Sequence, residues 1–138
     1  MAAAPVLDSF ALLAFLRGEP GEAQVAALLE KAGLRDAPLH MTEANYAEVK
    51  YTVLRKDGAG RWAEIERDLP ALPVEFHPID RRLADVAAEF KARFKLSLAD
   101  ALAAALAKER KAELVTGDPE FKALEKEIKI LWLKMERS

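Results

Sequence analysis

Five short apolar runs alternate along this chain with longer stretches that have the periodicity or composition of helices. Runs that are apolar throughout are typical of strands buried on both faces, and strands separated by helices predict a parallel sheet covered on both sides. The predicted fold class is therefore α/β, an α/β/α sandwich that spans residues 1–138 as a single domain, because no linker-like stretch interrupts the chain. The predicted strands cover residues 5–7, 39–41, 74–77, 114–115 and 128–133.

Capping residues mark the helices expected between these strands. Thr42, Asp80 and Ser97 each precede a helical stretch, where the side-chain oxygen of an N-cap accepts a backbone N–H. Gly33 is the predicted C-cap of the second helix. Asp118, which is followed by a proline, predicts the start of the last helix. The six helices predicted before this last one cover residues 10–16, 22–32, 43–56, 61–69, 81–94 and 98–111.

The composition excludes several classes of protein. The chain has no cysteine and only two histidines, His40 and His77, so disulfides, thiolate metal sites and cysteine nucleophiles are excluded and histidine-based sites are not favoured. A net charge of −2 argues against a strongly basic nucleic-acid-binding domain. The apolar N-terminal stretch lacks a basic flank and is interrupted by Asp8, so we expect no signal peptide, no membrane span and a cytoplasmic protein. The scarcity of amides is a compositional indication of a thermophilic source.

Four carboxylates stand where the surrounding sequence is apolar. Asp8 and Asp118 follow the first and fourth predicted strands, and ligands of open parallel sheets bind at the carboxyl ends of strands. Asp100 lies in the first turn of an alanine- and leucine-rich helix, and Glu48 lies among alanine and valine in the helix after the second strand. Glu43 points about 140° away from Glu48 on that helix and is not grouped with it.

Each of these acids also has a purely structural interpretation. Asp8 and Asp118 suit N-caps, Asp100 occupies a capping-box position, and Glu48 could lie on a solvated helix face. Taken together they indicate a metal site, because clustered carboxylates raise each other's pKa values and a bound cation relieves their repulsion. Oxygen ligands without histidine or cysteine suit Mg²⁺ or Mn²⁺, and such sites support hydrolysis of phosphodiester bonds.

Short motifs around the four acids resemble those of PIN domains, in particular the VapC-type toxins of toxin–antitoxin pairs. The matching segments are Val-Leu-Asp-Ser at 6–9, Thr-Glu-Ala-Asn-Tyr-Ala-Glu-Val at 42–49, Leu-Ser-Leu-Ala-Asp-Ala at 96–101 and Leu-Val-Thr-Gly-Asp at 114–118. The resemblance implies a five-stranded parallel sheet of order 3-2-1-4-5 and a Mg²⁺- or Mn²⁺-dependent ribonuclease with an RNA substrate, a homodimeric state and an antitoxin partner. By the same resemblance the catalytic and metal-binding residues are Asp8, Glu48, Asp100 and Asp118, with Ser9 and Thr116 in support.

Other functions stay open at this point. A non-catalytic PIN-like module that acts through dimerisation or partner binding is the main alternative. A different metal-dependent phosphohydrolase is less favoured, because Ser9 and Phe10 follow Asp8 where a paired aspartate nucleophile would be expected. No glycine-rich phosphate loop is present, which argues against an NTPase. The candidate RNA-binding residues are the basic clusters Arg55, Lys56 and Arg61; Arg81 and Arg82; and Lys91, Arg93 and Lys95.

Overall fold

A five-stranded parallel sheet forms the centre of the protein. The computed structural model describes residues 3–135, and its strands lie in the order β3-β2-β1-β4-β5 with every neighbouring pair parallel. The predicted sheet is thus confirmed, and so is the strand order that the resemblance implied. The strands are β1 (Val6–Leu7), β2 (Leu39–Thr42), β3 (Val74–His77), β4 (Leu114–Thr116) and β5 (Ile130–Trp132).

Helices cover both faces of this sheet. Thr42, Asp80 and Ser97 are N-caps, as predicted, and each accepts the backbone N–H of the third residue after it. Within residues 3–135, no helix has both the length and the apolar character needed to cross a membrane. The α-helices are α1 (Ser9–Arg17), α2 (Glu22–Leu34), α3 (Glu43–Lys56), α4 (Ala59–Asp68), α5 (Arg81–Arg93) and α6 (Leu98–Arg110), and 3₁₀ turns cover Leu69–Ala71 and Pro119–Leu124.

The end of α2 and the type of the last helix differ from the prediction. Helix α2 continues through Gly33, and the chain reverses at Asp36, whose φ of 49° lies in the left-handed region that aspartate tolerates. The segment after Asp118 is a six-residue 3₁₀ helix and not an α-helix. Its buried side chains, Phe121 and Leu124, are three residues apart, which matches the three residues per turn of a 3₁₀ helix.

Two apolar cores lie on opposite faces of the sheet. Val6 and Leu7 of the two-residue strand β1 are both fully buried, and they point to opposite sides because side chains alternate along a strand. Val6 packs with α5 and α6, and Leu7 packs with helices α1 to α4. Trp62 also lies in the second core. Burial on both faces explains why both residues of β1 are apolar.

Candidate metal centre

Asp8 stands at the carboxyl end of β1, beside the neighbouring strand β4. Its Oδ1 accepts the Ala11 N–H at 2.8 Å as the N-cap of α1, and its Oδ2 accepts the Thr116 hydroxyl at 2.5 Å. Asp8 and Thr116 are 1% and 0% exposed. The same Thr116 Oγ1 accepts the Asp118 N–H at 3.0 Å. One buried threonine therefore connects the two strand-end aspartates.

Three carboxylates converge where β4 ends and α6 begins. Asp100, Asp118 and Glu120 each contribute an oxygen to a group whose members all lie within 4.8 Å of one another. Asp100 is held in the first turn of α6 by its N-cap Ser97, and Asp118 caps the following 3₁₀ helix by accepting the Glu120 N–H at 2.9 Å. Asp118 can therefore be a helix cap and also belong to this group, because the cap uses one of its two carboxylate oxygens.

Two aspartates at this end of the sheet have raised pKa values. Burial raises the pKa of Asp8 to about 8, against hydrogen bonds from Thr116 and Ala11 that lower it, and the charges of Asp100 and Asp118 raise it further. Burial also raises the pKa of Asp100 to about 6, with the Asp118 charge as the second cause. Neighbouring carboxylates that repel each other fit a bound cation. The donors are all oxygens, which fits Mg²⁺ or Mn²⁺.

Residues 6–127 match the family model of the PIN domain. The chain belongs to the PIN domain family. No curated protein matches it in sequence. The fold is similar to that in the crystal structure of VapBC2 from Rickettsia felis, which is bound to a DNA fragment from their promoter. The TM-score is 0.75 and the identity 17%, over 94% of this chain and 98% of that one.

Two further PIN-like structures have a similar fold. VapC20 from Mycobacterium tuberculosis, described as a Sarcin-Ricin loop cleaving toxin, has a TM-score of 0.68 and 14% identity over 97% of this chain and 99% of that one. PAE2754 from Pyrobaculum aerophilum has a TM-score of 0.65 and 22% identity over 94% of this chain and 92% of that one. At these identities the likeness shows the fold of this PIN domain.

Two other predicted site residues, Glu48 and Ser9, lie at the same end of the sheet as the aspartates. Glu48 on α3 is half-buried and near enough for its charge to raise the pKa of Asp100, but it is not a member of the group within 4.8 Å. Ser9, the residue after Asp8, donates its hydroxyl to the Asn45 carbonyl oxygen at 3.3 Å. The four predicted acids therefore lie near one another at one end of the sheet, although Asp8 and Glu48 are outside the group within 4.8 Å.

Asn45 is a site residue that the sequence reasoning did not select. It is fully buried, its Nδ2 donates to Ser9 Oγ at 2.9 Å and to the Ala99 carbonyl oxygen at 3.4 Å, and its Oδ1 accepts the Thr42 hydroxyl at 2.5 Å. Ser9 adjoins Asp8 in sequence, and Ala99 adjoins Asp100. The signal was available, because this is the only asparagine of the chain and it lies in the first turn of a helix next to a strand end.

Glu120 was missed because the sequence places it inside a predicted helix, two residues beyond the strand-end Asp118. The segment after the N-cap Asp118 is a 3₁₀ helix, and the carboxylates of Asp118 and Glu120 both lie within 4.8 Å of Asp100. The sequence signal of an acid two residues beyond a strand-end aspartate is informative only once this local geometry is known.

Several of the predicted basic clusters make contacts within the protein. Arg82 pairs with Glu109 at 3.1 Å and Arg93 with Glu127 at 2.5 Å. Lys91 Nζ donates to a backbone carbonyl at 2.8 Å. These contacts occupy charges that would otherwise be available to phosphates, and they do not single out one basic cluster as an RNA-binding surface.

Gly117 separates Thr116 from Asp118, and its missing side chain has a packing reason. A Cβ at this position would lie 2.4 Å from Phe10 Cε1 and 2.8 Å from Met135 Sδ. We expect Gly117→Ala to lower the free energy of unfolding by about 1–3 kcal/mol, because the methyl group overpacks the turn. Urea unfolding followed by circular dichroism measures this change. Gly60→Ala, where a Cβ meets nothing within 4 Å, is the control, and equal stability of the two variants would contradict the packing argument.

Proposed function

We propose that this PIN domain is a divalent-metal-dependent endoribonuclease and the toxin of a toxin–antitoxin pair. The observation that carries the proposal is the convergence of Asp100, Asp118 and Glu120 beside the buried Asp8, whose pKa and that of Asp100 are raised by burial and by the charges of their acidic neighbours. PIN domains are generally nucleases, and this gives the cluster a chemistry that matches its ligands. Phosphodiester hydrolysis needs charge stabilisation at a phosphate, which a carboxylate-bound cation provides.

The proposed ligands of Mg²⁺ or Mn²⁺ are Asp8, Glu48, Asp100 and Asp118, and the convergence of Glu120 on Asp100 adds it as a fifth candidate. When bound, the metal would stabilise negative charge on the phosphate and orient the attacking water.

The chain's own polar groups position these acids. Thr116 supports the site by fixing the Oδ2 of Asp8 through its hydroxyl. Ser9 supports it through the Asn45 side chain, which ties together the starts of α1, α3 and α6. Asp8 is fully buried and both of its oxygens accept hydrogen bonds, so its carboxyl group is oriented before a substrate arrives.

The proposed partners follow from the same family relation. VapBC-5 of Mycobacterium tuberculosis, which has a similar fold, is described as a member of the VapBC family of toxin–antitoxin systems. We propose an antitoxin partner for this chain, together with an RNA substrate and a homodimeric state. We also propose that residues 1–138 act as a single domain in the cytoplasm. The described sheet, whose strands lie between residues 6 and 132, is consistent with a single domain.

RNA cleavage by the purified protein in Mg²⁺, in Mn²⁺ and in EDTA tests the proposal. We expect cleavage with either metal, none in EDTA, and none from Asp100→Asn prepared in the same way, because this substitution removes a ligand charge but leaves the Ser97 cap in place. Circular dichroism verifies that the variant is folded. Equal cleavage by both proteins would point to a contaminating nuclease. If neither protein cleaves RNA and neither is stabilised by metal, the protein is a non-catalytic partner-binding module.

A further inference from the structure

A second cluster of metal-ligating side chains lies on strands β2 and β3 and shares no residue with the acidic site. Leu39 and Met41, on either side of His40, pack into the core on the α1–α4 side, so His40 points to the α5–α6 side of the sheet. In the parallel register His40 is paired with Glu75, and His77 stands two residues further along the same strand. All three side chains therefore project from one face at the edge of the sheet.

The distances within this cluster fit one small cation. His40 Nδ1 lies 2.9 Å from His77 Nε2 and 3.4 Å from Glu75 Oε2, and His77 Nε2 lies 3.7 Å from the same oxygen. In a tetrahedral zinc site, with bonds of about 2.0–2.1 Å, ligand atoms are about 3.3–3.4 Å apart. The three distances bracket this value, and Glu75 is exposed to solvent, so an ion can reach the cluster from the surface.

We propose that His40, Glu75 and His77 bind a zinc ion. The ligand set of two imidazoles and one carboxylate suits a borderline transition-metal cation and differs from the all-oxygen set of the acidic site. His40 is 5% exposed, and burial, followed by the charge of Arg110 and then that of His77, lowers its pKa to about 4. An imidazole binds a metal ion through an unprotonated ring nitrogen.

The ion would join the edge strand β3 to β2, because its ligands come from both. Strand β3 pairs only with β2 among the described strands, so a bound ion adds a second connection there. This site is independent of the proposed nuclease function, and either one can fail without the other.

Zinc binding by the untagged full-length chain, freed of metal with EDTA and exchanged into buffer, tests the proposal. The parent protein for this experiment is Asp100→Asn, which weakens the acidic site and leaves the histidine cluster unchanged. Calorimetric titration with zinc chloride is expected to give one ion per chain and a higher melting temperature. Because the chain has only two histidines, proton and nitrogen NMR spectra of the imidazoles should show both rings shifting together.

Two substitutions on the exposed strand separate ligation from folding. In the Asp100→Asn background, His77→Gln is expected to weaken zinc binding at least about 100-fold and Glu75→Gln about tenfold, whereas Glu89→Gln on α5 should have no effect. His40 is too deeply buried to serve as the main test, since its replacement also disturbs the core. The proposal is overturned if the parent binds no zinc, which would leave the 2.9 Å contact as an imidazole–imidazole hydrogen bond. It is equally overturned if His77→Gln binds zinc as tightly as the parent.

Discussion

Asp8→Asn is expected to stabilise the metal-free protein at pH 8 and, at the same time, to abolish RNA cleavage. The unfolded chain ionises Asp8 above about pH 4, whereas the folded protein keeps this buried carboxyl protonated up to about pH 8. The folded state binds more protons between these values, so its stability falls as the pH rises through this window. Asparagine carries no charge and removes this dependence.

The stabilisation at pH 8 should be roughly 3–5 kcal/mol, which corresponds to a melting temperature on the order of 10 °C higher. The N-cap survives the change, because the asparagine Oδ1 can accept the Ala11 N–H as the aspartate oxygen does. Cleavage is lost because the variant has one ligand charge fewer. A gain in stability with a loss of activity is the expected signature of a site where function requires buried charge.

Thermal unfolding in EDTA at pH 5 and at pH 8 measures this effect. The difference between wild type and Asp8→Asn should be small at pH 5 and large at pH 8. Asp85→Asn, which changes an exposed aspartate of α5, serves as the control and should follow wild type at both values. An Asp8→Asn protein that melts below wild type at pH 8 would show that the carboxylate is well solvated or paired in the folded state.

The parts of the fold that could be predicted from sequence are those set by local chemistry. Strands such as β1 can be recognised in the sequence as short apolar runs. Caps such as Thr42 mark helix starts because the side-chain oxygen accepts a backbone N–H in the first turn. The placement of Asp8 and Asp118 at one edge of the sheet could be predicted in the same way, because the carboxyl ends of parallel strands lie at the same edge. Their roles as caps and as members of a cluster do not exclude each other.

The rest depended on geometry that no local pattern contains. Glu120 lies two residues beyond Asp118 in a segment that forms a 3₁₀ helix in place of the predicted α-helix, and it meets Asp100 across the fold. His40 and His77 are 37 residues apart and meet only through the register of β2 and β3. Because the chain has only two histidines, the composition argued against a histidine-based site. Composition does not show that both histidines lie on one face of neighbouring strands.

Asn45→Ala is expected to have the opposite effect on stability from Asp8→Asn, although it lies in the same part of the molecule. It removes an amide whose partners, Thr42 and Ser9, are buried. The Ser9 and Thr42 hydroxyls keep their hydrogen bonds to the Asn45 backbone and lose those to the amide, so the free energy of unfolding should fall by roughly 1–3 kcal/mol. RNA cleavage should also fall, because the amide holds the neighbours of Asp8 and Asp100 together.

Gln24→Ala provides the matched control for this prediction. Gln24 is the only other side-chain amide of the chain, and its Oε1 accepts the Lys134 N–H in an exposed hydrogen bond. Its loss should cost no more than about 1 kcal/mol and leave cleavage unchanged, since solvent replaces the partner. Urea unfolding and metal-dependent cleavage of both variants measure the contrast. If Asn45→Ala kept the stability of Gln24→Ala, water would be satisfying the freed hydroxyls, and if it also kept full cleavage, the aspartates would be positioned by their own caps and not by the amide that joins their helices.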